Sequence, residues 1–482
     1  MSLLAHEVST RRARLLIGGR WVAGQGTAPV YDKYSGAVIG EVDRADREQV
    51  NQAVAAAKHS FETAPLDPYD RYRILLRVSE LIESRRRDFI DLIVSEAGFA
   101  IPEATNEVTR AAETFIISAE EGKRLAGDVV PIDAAPGQSH RMAFSIRVPR
   151  GVVCGITSFN SPLNMVAHKV APALGSGNTV VIKPPQLTPF SAALLCELLL
   201  EAGLPPGHVN LVQGPGGDIG KWLVENPDIR FFTFTGSTEV GRQLQRSVGL
   251  RPLTLELGSI AASIVCEDAD LQRAATRIAN SAFKRAGQAC TSTQKLFVDE
   301  RVVDQFVPLF IAATRKLKAG DPHLSDTMVG PMISEKDAIR AEEWVQEAVA
   351  QGARLLEGGK RQGAILFPTV LTDITPNMRV ASDEVFGPVV SIVPFSSLDA
   401  AIDEINGTPF GLATGLFTRD VMRAMNAARR LHVGIVHVNE ASSSRVDMMP
   451  FSGVKDSGMG RDGPKYAMQE MTEERLITIS LS

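Results

Sequence analysis

Cysteine is scarce in this chain, four in 482 residues. The four stand at 154, 196, 266 and 290, with no C-x-x-C pair and no zinc-like spacing. A disulfide framework and a structural zinc ribbon are therefore excluded, and no metal site is expected. No block of lysine and arginine is long enough for a nucleic-acid surface, and the formal net charge is −5. The short basic stretch RRARLL at 11–16 reads as a solvated arm ahead of a strand. A mitochondrial presequence is the weaker alternative, because little amphipathic length precedes Ile17. No run of about eighteen apolar residues occurs, so no membrane span is expected.

What the chain does have is the balance of a globular protein, 44% hydrophobic and 22% charged residues. Its length exceeds what one core supports, so two or three domains are expected. The 40 glycines and 27 prolines are dispersed, which marks tight turns rather than disorder. Apolar residues recur at three and four over 46–62, over 70–97 and from Pro102 or Glu103 to Glu121, the spacing of helices, with Asp46 as a cap for the first. Residues 128–148 read as two extended strands joined by a loop. Buried-looking strands at 152–156, 178–183, 209–212 and 231–237 then alternate with helices, one of them starting at Ser161-Pro162. The pattern restarts after Leu257, through ASIVC, QKLFVDE, FPTVLTDI, GPVVSIVPF, TGLFT and GIVHVN, with helical stretches between. Such alternation means parallel sheets in a doubly wound α/β arrangement. ERLITISLS, near the C-terminus, reads as an edge strand able to extend a neighbouring sheet.

Three residues stand out chemically. Cys290 lies in FKRAGQACTSTQ, between Gly287-Gln288 and small polar residues, with Lys284 and Arg285 upstream. Small neighbours leave room for a carbonyl, and positive charge facing the same pocket favours a thiolate nucleophile. By itself a lone cysteine is more often a small buried hydrophobe. Glu256, in LTLELGS, lies 34 residues upstream and reads locally as a strand-end carboxylate. Asn160, in SFNSP, reads locally as a turn residue just past a buried strand.

Taken together, the boxes SFNSP, VVIKP, FTGSTEVG, LELGS, GQAC, DEVFGP and PFSGVKDSGMGRDG resemble, in order and over essentially the whole chain, those of the aldehyde dehydrogenase superfamily, NAD(P)-dependent oxidisers of aldehydes. The resemblance implies a Rossmann-type cofactor domain over 1–127 and 147–257. It also implies a second α/β catalytic domain over 258–448, and an oligomerisation and bridging region over 128–146 and 449–482. In that chemistry Cys290 forms a thiohemiacetal, hydride leaves, and a thioester remains. The Asn160 amide and the Cys290 backbone N–H are the implied oxyanion donors, and Glu256 the implied base that activates water. Ile156, Thr157, Ser158 and Phe159 line the cofactor, Lys183 holds the adenosine ribose, and Ser237 meets phosphate at a helix start. Gly236, Val240 and Leu257 border the same site, Gly216 and Gly220 belong to a variant glycine-rich turn, and Glu384 and Phe386 face the nicotinamide end. Gln186 stands where NAD-preferring members carry Glu, which removes repulsion against a 2′-phosphate. NAD is expected, with NADP tolerated. Ser259 replaces the second glycine of the family's E-L-G-G box.

The resemblance also suggests the substrate. Arg110, His168, Lys284, Arg285 and Arg445 map to the family's substrate tunnel, where cations suit a short anionic aldehyde. Taken singly, each is an ordinary surface charge. CGITSFNSPLNMVAHKVAPAL and EVTRAAETF look most like the boxes of members that oxidise phosphonoacetaldehyde to phosphonoacetate. Lactaldehyde, glyceraldehyde 3-phosphate (non-phosphorylating), sulfonated aldehydes and succinate semialdehyde are the alternatives. A CoA-dependent acylating enzyme is disfavoured by Glu256, and a non-catalytic structural or binding relative by the intact Cys290, Glu256 and Asn160. A homodimer or homotetramer is expected, with neither nucleic acid nor membrane as partner. A reducing, cytoplasmic home fits the free thiol.

Overall fold

The structure is a computed structural model and describes residues 11–481. The first ten residues of the expected cofactor unit lie outside the described residues. Two large sheets dominate. The eight-stranded sheet runs, from edge to edge, Gly458–Met459, Leu253–Glu256, Ile229–Thr235, Val152–Ile156, Thr179–Lys183, Val209–Leu211, Leu15–Ile17 and Arg20–Val22. Its five central strands are parallel and its outer strands antiparallel. The seven-stranded sheet runs Arg354–Glu357, Thr369–Thr372, Val389–Phe395, Thr293–Asp299, Ala261–Val265, Ala413–Phe417 and Ile435–Val438, parallel except at the first. Both sheets have the mainly parallel α/β arrangement that the alternation of strands and helices implied.

The central strands are buried because both faces are covered by helices, so they read as unbroken apolar runs such as VVCGI. From Val152–Ile156 the chain winds outward to Thr179–Lys183 and Val209–Leu211. It then crosses back to Ile229–Thr235 and Leu253–Glu256 on the other flank. The winding reverses between Val152–Ile156 and Ile229–Thr235, and a crevice opens at the carboxyl ends of such strands. The loop carrying Asn160 and the turn carrying Ser237 both leave from that crevice.

Three expectations need correction. RRARLL is no solvated arm: Arg12–Ala13 pairs with Val38–Arg44, Arg12 bonds Asp43 at 2.6 Å, and Ala13, Leu15 and Leu16 are buried. The apolar face of the segment outweighs its charges. The helix expected over 70–97 is two, Pro68–Ser84 and Arg86–Ala97, broken at Arg85. The helix expected from Ser161-Pro162 begins only at Asn164.

The reason for that late start is a buried carboxylate. Glu107, on the Ile101–Gly122 helix, accepts the backbone N–H of Leu163 at 2.9 Å and of Asn164 at 3.2 Å. It supplies from a neighbouring helix the N-terminal cap that Ser161 does not provide. Ile101–Gly122 packs between Pro68–Ser84 and Asn164–Gly175. Its buried face, Ala104, Val108, Ala111, Ala112, Phe115 and Ala119, keeps the helical spacing. Elsewhere Arg141–Pro149 pairs antiparallel with Thr472–Ser480 along nine residues and with Val129–Val130 on its other side, a small sheet separate from the two large ones.

Replacing Glu107 by Ala strands two buried N–H groups and loosens the Asn160 loop. The expected cost is about 2–4 kcal/mol, read as a lower denaturation midpoint. A midpoint within error of wild type would dismiss the capping role.

Candidate active site

The turn that leads into Cys290 is built under strain. Arg285 (φ 53°) and Ala286 (φ 52°) are left-handed non-glycine residues, followed by Gly287 at φ 68°. Only glycine fits at 287, since a Cβ there would lie 2.1 Å from the Gly387 carbonyl oxygen. The bonds around the turn over-determine it. The Gln288 side chain accepts the Ile333 N–H at 2.9 Å and donates to the Arg285 carbonyl at 3.1 Å. Arg285 itself donates to the Asn160 carbonyl at 3.1 Å and to Glu103 at 3.3 Å, over the Phe99 ring.

Cys290 follows, a free and half-buried thiol packed near Leu412, Ala413 and Phe451. Burial pushes it up to about 12, aided by the Glu384 and Glu256 carboxylates. Arg445 and the residue's own backbone N–H act the other way. Asn160, buried, donates its amide to the Gln288 carbonyl at 2.9 Å, and its oxygen accepts from Ser158 at 2.7 Å. The amide keeps a second hydrogen for an oxyanion.

Glu256 ends its strand as a buried carboxylate, neither oxygen having a hydrogen-bond partner among the described residues. Burial and the Asp462 charge raise its pKa well above the ordinary value, while Lys169 and Arg445 oppose them. Lys169 and Asp462 form a buried ion pair at 2.8 Å. The sequence reading did not single out either residue. Lys169 sits nine residues after Asn160 on the capped helix, so an unmatched lysine on an otherwise apolar stretch was the available signal.

The residues proposed for cofactor gather at the crevice. Ile156 and Thr157 end the central strand, with the Thr157 N–H on the Lys183 carbonyl at 3.2 Å. Among the described residues the buried Thr157 hydroxyl has no partner, and the Lys183 ammonium meets only the Pro184 carbonyl, at 3.0 Å. Burial pushes Lys183 down to about 8. Ser237 caps the Thr238–Ser247 helix through the Val240 N–H. A Cβ on Gly241 would meet Leu257 at 2.3 Å, and one on Gly236 the Phe234 ring at 2.5 Å. The close approach therefore lies in GSTEVG, and the sequence reading missed Gly241. Gly216 and Gly220 border open space and show no steric need for glycine. Glu384 accepts the Ser259 N–H at 2.8 Å and is pushed up to about 7 by burial. Phe386 (φ 47°) sets its ring edge-on to Phe159 at 5.8 Å. Gln186 lies half-buried just beyond Lys183.

Of the five cations expected on the substrate, Arg110, Lys284 and Arg445 line one cavity of about 550 Å³. His168 and Arg285 are not in its lining. Arg285 is spent on Glu103 and Asn160, as above. His168 is buried and bonds Asp447 at 2.8 Å. Asp447, which the sequence reading passed over, also receives both arms of Arg110, at 2.7 and 3.0 Å. That leaves Lys284 and Arg445. Neither has a carboxylate within hydrogen-bonding reach among the described residues. Arg445 lies over the Phe451 ring at 4.0 Å, its Nε sealed and unbonded.

A profile of the Aldehyde dehydrogenase family matches residues 21–477. The 3-sulfolactaldehyde dehydrogenase of Priestia aryabhattai is 46% identical over 467 residues, 97% of this chain and 98% of the relative. The NADP-dependent glyceraldehyde-3-phosphate dehydrogenase of Bacillus halodurans, solved with NADP, superposes at a TM-score of 0.95 with 37% identity, covering 98% of this chain and all of that one. Aldehyde dehydrogenase 21 from Physcomitrella patens, solved in complex with the reaction product succinate, superposes at 0.95 with 35% identity, covering 98% of both chains. The chain belongs to the aldehyde dehydrogenase family. It is an NAD(P)-dependent enzyme that oxidises aldehydes. No helix among the described residues is long and apolar enough to cross a membrane.

The electrostatics predict the resting thiol's reactivity. Alkylation of the protein without cofactor by iodoacetamide, a neutral reagent, should keep rising beyond pH 9. Arg445→Met should push the profile further up by removing a cation that favours the thiolate. A plateau below pH 8 in wild type would refute the described environment.

Proposed function

We propose that this enzyme oxidises a short aldehyde with an anionic head group to the corresponding acid, Cys290 being the nucleophile. The observation that carries the anionic head is Arg445, a guanidinium that lies over the Phe451 ring against which Cys290 also packs and has no carboxylate bonded to it among the described residues; Lys284, likewise without a bonded carboxylate among them, lines the same cavity as Arg445. A substrate anion completes both. The 46% identity to a 3-sulfolactaldehyde dehydrogenase favours a sulfonate head. The boxes around Asn160 and Arg110 favour a phosphonate, as in phosphonoacetaldehyde, and this is the second reading.

The open donors at the crevice fit a dinucleotide. Lys183 and the Thr157 hydroxyl are buried without adequate partners, Ser237 opens a ten-residue helix, and Gln186 brings no charge against a 2′-phosphate. Ile156, Ser158, Val240 and Leu257 would border it, with Glu384 and Phe386 at its nicotinamide end. When bound, that ring accepts the hydride.

The chain's own residues do the rest. The Cys290 thiol gives its proton to water, and the thiolate adds to the carbonyl carbon, forming the C–S bond as the π pair moves to oxygen. The Asn160 amide and the Cys290 N–H hold that oxyanion. Once the carbon has given up its hydride, the substrate is a thioester on Cys290. Glu256 takes a proton from water, whose oxygen attacks the thioester, and the acid departs as the C–S bond breaks. Lys169 and Asp462 set the field in which Glu256 gains and releases that proton.

The eight-stranded sheet suits the cofactor unit and the seven-stranded sheet the catalytic unit, with the division near 257–258. The small third sheet leaves Val129, Met142, Leu476 and Ile479 exposed, which suits assembly into a homodimer or homotetramer. A reducing, cytoplasmic compartment suits Cys290.

Steady-state rates with NAD and NADP on 3-sulfolactaldehyde, phosphonoacetaldehyde and neutral propanal test the reading. An anionic substrate should exceed propanal in kcat/KM, and Arg445→Met, which weakens the thiolate for every aldehyde, should cut the anion's kcat/KM by roughly tenfold to a hundredfold more than propanal's. Equal activity on propanal refutes the anion site. Cys290→Ser should abolish oxidation of every aldehyde, and retained turnover would refute the mechanism.

A further inference from the structure

Gln294 lies four residues after Cys290, at the start of the Thr293–Asp299 strand, and is buried. Its side-chain amide is directed entirely at one loop. The nitrogen donates to the Val380 carbonyl at 3.2 Å and to the Asp383 carbonyl at 2.7 Å. The oxygen accepts the Val385 N–H at 2.9 Å. Two partners are carbonyls and the third is an N–H, so only one orientation of the amide satisfies all three. Arg340, on the Glu335–Ala350 helix, adds a fourth tie. It donates to the Val385 carbonyl at 2.9 Å while lying over the Trp344 ring at 5.0 Å. Both peptide groups of Val385 are thereby held.

The residues on either side of Val385 are Glu384 and Phe386. Glu384 is tied in another direction, to the Ser259 N–H at 2.8 Å, just past Glu256. Phe386 is a non-glycine residue held at φ 47°, a conformation that persists only where its surroundings over-determine it. The next residue, Gly387, brings its carbonyl so close to Gly287 that a Cβ there would lie 2.1 Å away. The 383–387 segment therefore abuts the turn that leads into Cys290 and is bonded to the strand that leaves it. An apolar side chain at 294 would serve packing alone. An amide that uses both hydrogens and its oxygen on one loop also fixes where that loop stands.

We propose that Gln294, with Arg340 as a second anchor, is a positioning residue that locks the Glu384–Phe386 segment in one place relative to Cys290, so that the seat for the nicotinamide end of the cofactor and the thiol belong to one rigid unit. The inference rests on the reading above that puts Glu384 and Phe386 at that end, and deepens it. Gln294 touches no reacting atom and acts through the loop backbone. Releasing the loop would shift the Glu384 carboxylate and the Phe386 ring. It would leave Thr157, Lys183 and Ser237 in place, because those stand on or just after strands of the eight-stranded sheet, whereas Gln294 belongs to the seven-stranded one. The loss should therefore fall on one end of the cofactor only.

The test is binding, measured without turnover. Reduced cofactor, NADH or NADPH, is followed by its own fluorescence. ADP, which lacks the nicotinamide and its ribose, is followed by displacement of the reduced cofactor. Gln294→Met, similar in size but unable to make the three bonds, should weaken reduced cofactor by about tenfold and leave ADP within about twofold of wild type. Arg340→Met, at a partly exposed position, should act in the same direction. An unchanged affinity for reduced cofactor in folded Gln294→Met overturns the proposal. So does an equal loss for ADP, which marks general loosening rather than positioning. If Gln294→Met fails to fold, Arg340→Met decides by the same comparison. If Phe386→Ala binds reduced cofactor as wild type does, the placing of that segment at the nicotinamide end itself fails, a separate and recognisable result.

Discussion

A guanidinium whose charge reaches the Cys290 thiol, with no carboxylate bonded to it among the described residues, is the constraint around which this site is arranged. Enclosed charge without a partner is costly, and proteins normally satisfy it. Arg445 instead rests on the Phe451 ring, which is attractive without being neutralising. Its charge is felt by Cys290, Glu256, His168 and Asp462. Two of the surrounding acids are committed elsewhere, Asp447 to Arg110 and Asp462 to Lys169. Those two ion pairs preserve the vacancy on Arg445 by keeping the neighbouring carboxylates engaged.

A vacancy of this kind is useful only if the loops around it are fixed. The Ser442 hydroxyl, on the Arg445 loop, donates to the Thr291 carbonyl at 2.8 Å, next to the nucleophile. It also meets the Thr293 hydroxyl at 2.8 Å, and Thr293 meets Ser263 at 2.9 Å. On the other side Arg285 bonds the Asn160 backbone, and Asn160 bonds Gln288. The Arg445 loop and the Asn160 loop are thus each tied to the turn that carries Cys290 by buried or partly buried hydrogen bonds. The left-handed backbone at Arg285 and Ala286 persists because these ties leave it no alternative.

How much of this the sequence disclosed follows from what kind of information each feature needs. Strands such as VVCGI and TVVIK were legible because burial on both faces leaves an unbroken apolar run. The Asp46 cap was legible because its partner Gln49 is three residues away. Asn160, Glu256 and Cys290 stood out through their motifs. Charge pairing was not legible, because it joins distant segments. Arg110 and Asp447 are 337 positions apart, and Lys169 and Asp462 are 293. A count of cations could not show which were already answered by a carboxylate. Arg285 and His168 were therefore placed on the substrate when the fold gives them internal partners. The late start of the Asn164–Gly175 helix was hidden for the same reason, its cap being Glu107 on another helix.

The same field also constrains the order of proton movements. Glu256 and Cys290 oppose each other's ionisation, since an ionised Glu256 raises the thiol's pKa. With Glu256 protonated, as its raised pKa favours, the negative charge near Arg445 can reside on sulfur, and addition to the carbonyl can proceed. Once the sulfur is a thioester it carries no charge, and the obstacle to ionising Glu256 that came from the thiolate is gone. The carboxylate can then form when water has to be deprotonated. In the mechanism proposed above, two groups that oppose each other's ionisation would take the charge in turn, Glu256 acting on water once the acyl group is in place. Burial raises each pKa separately, and the coupling between them is the Coulombic opposition of the Glu256 carboxylate to the thiolate. A solvated pair of the same residues would ionise independently and lose the sequence of events.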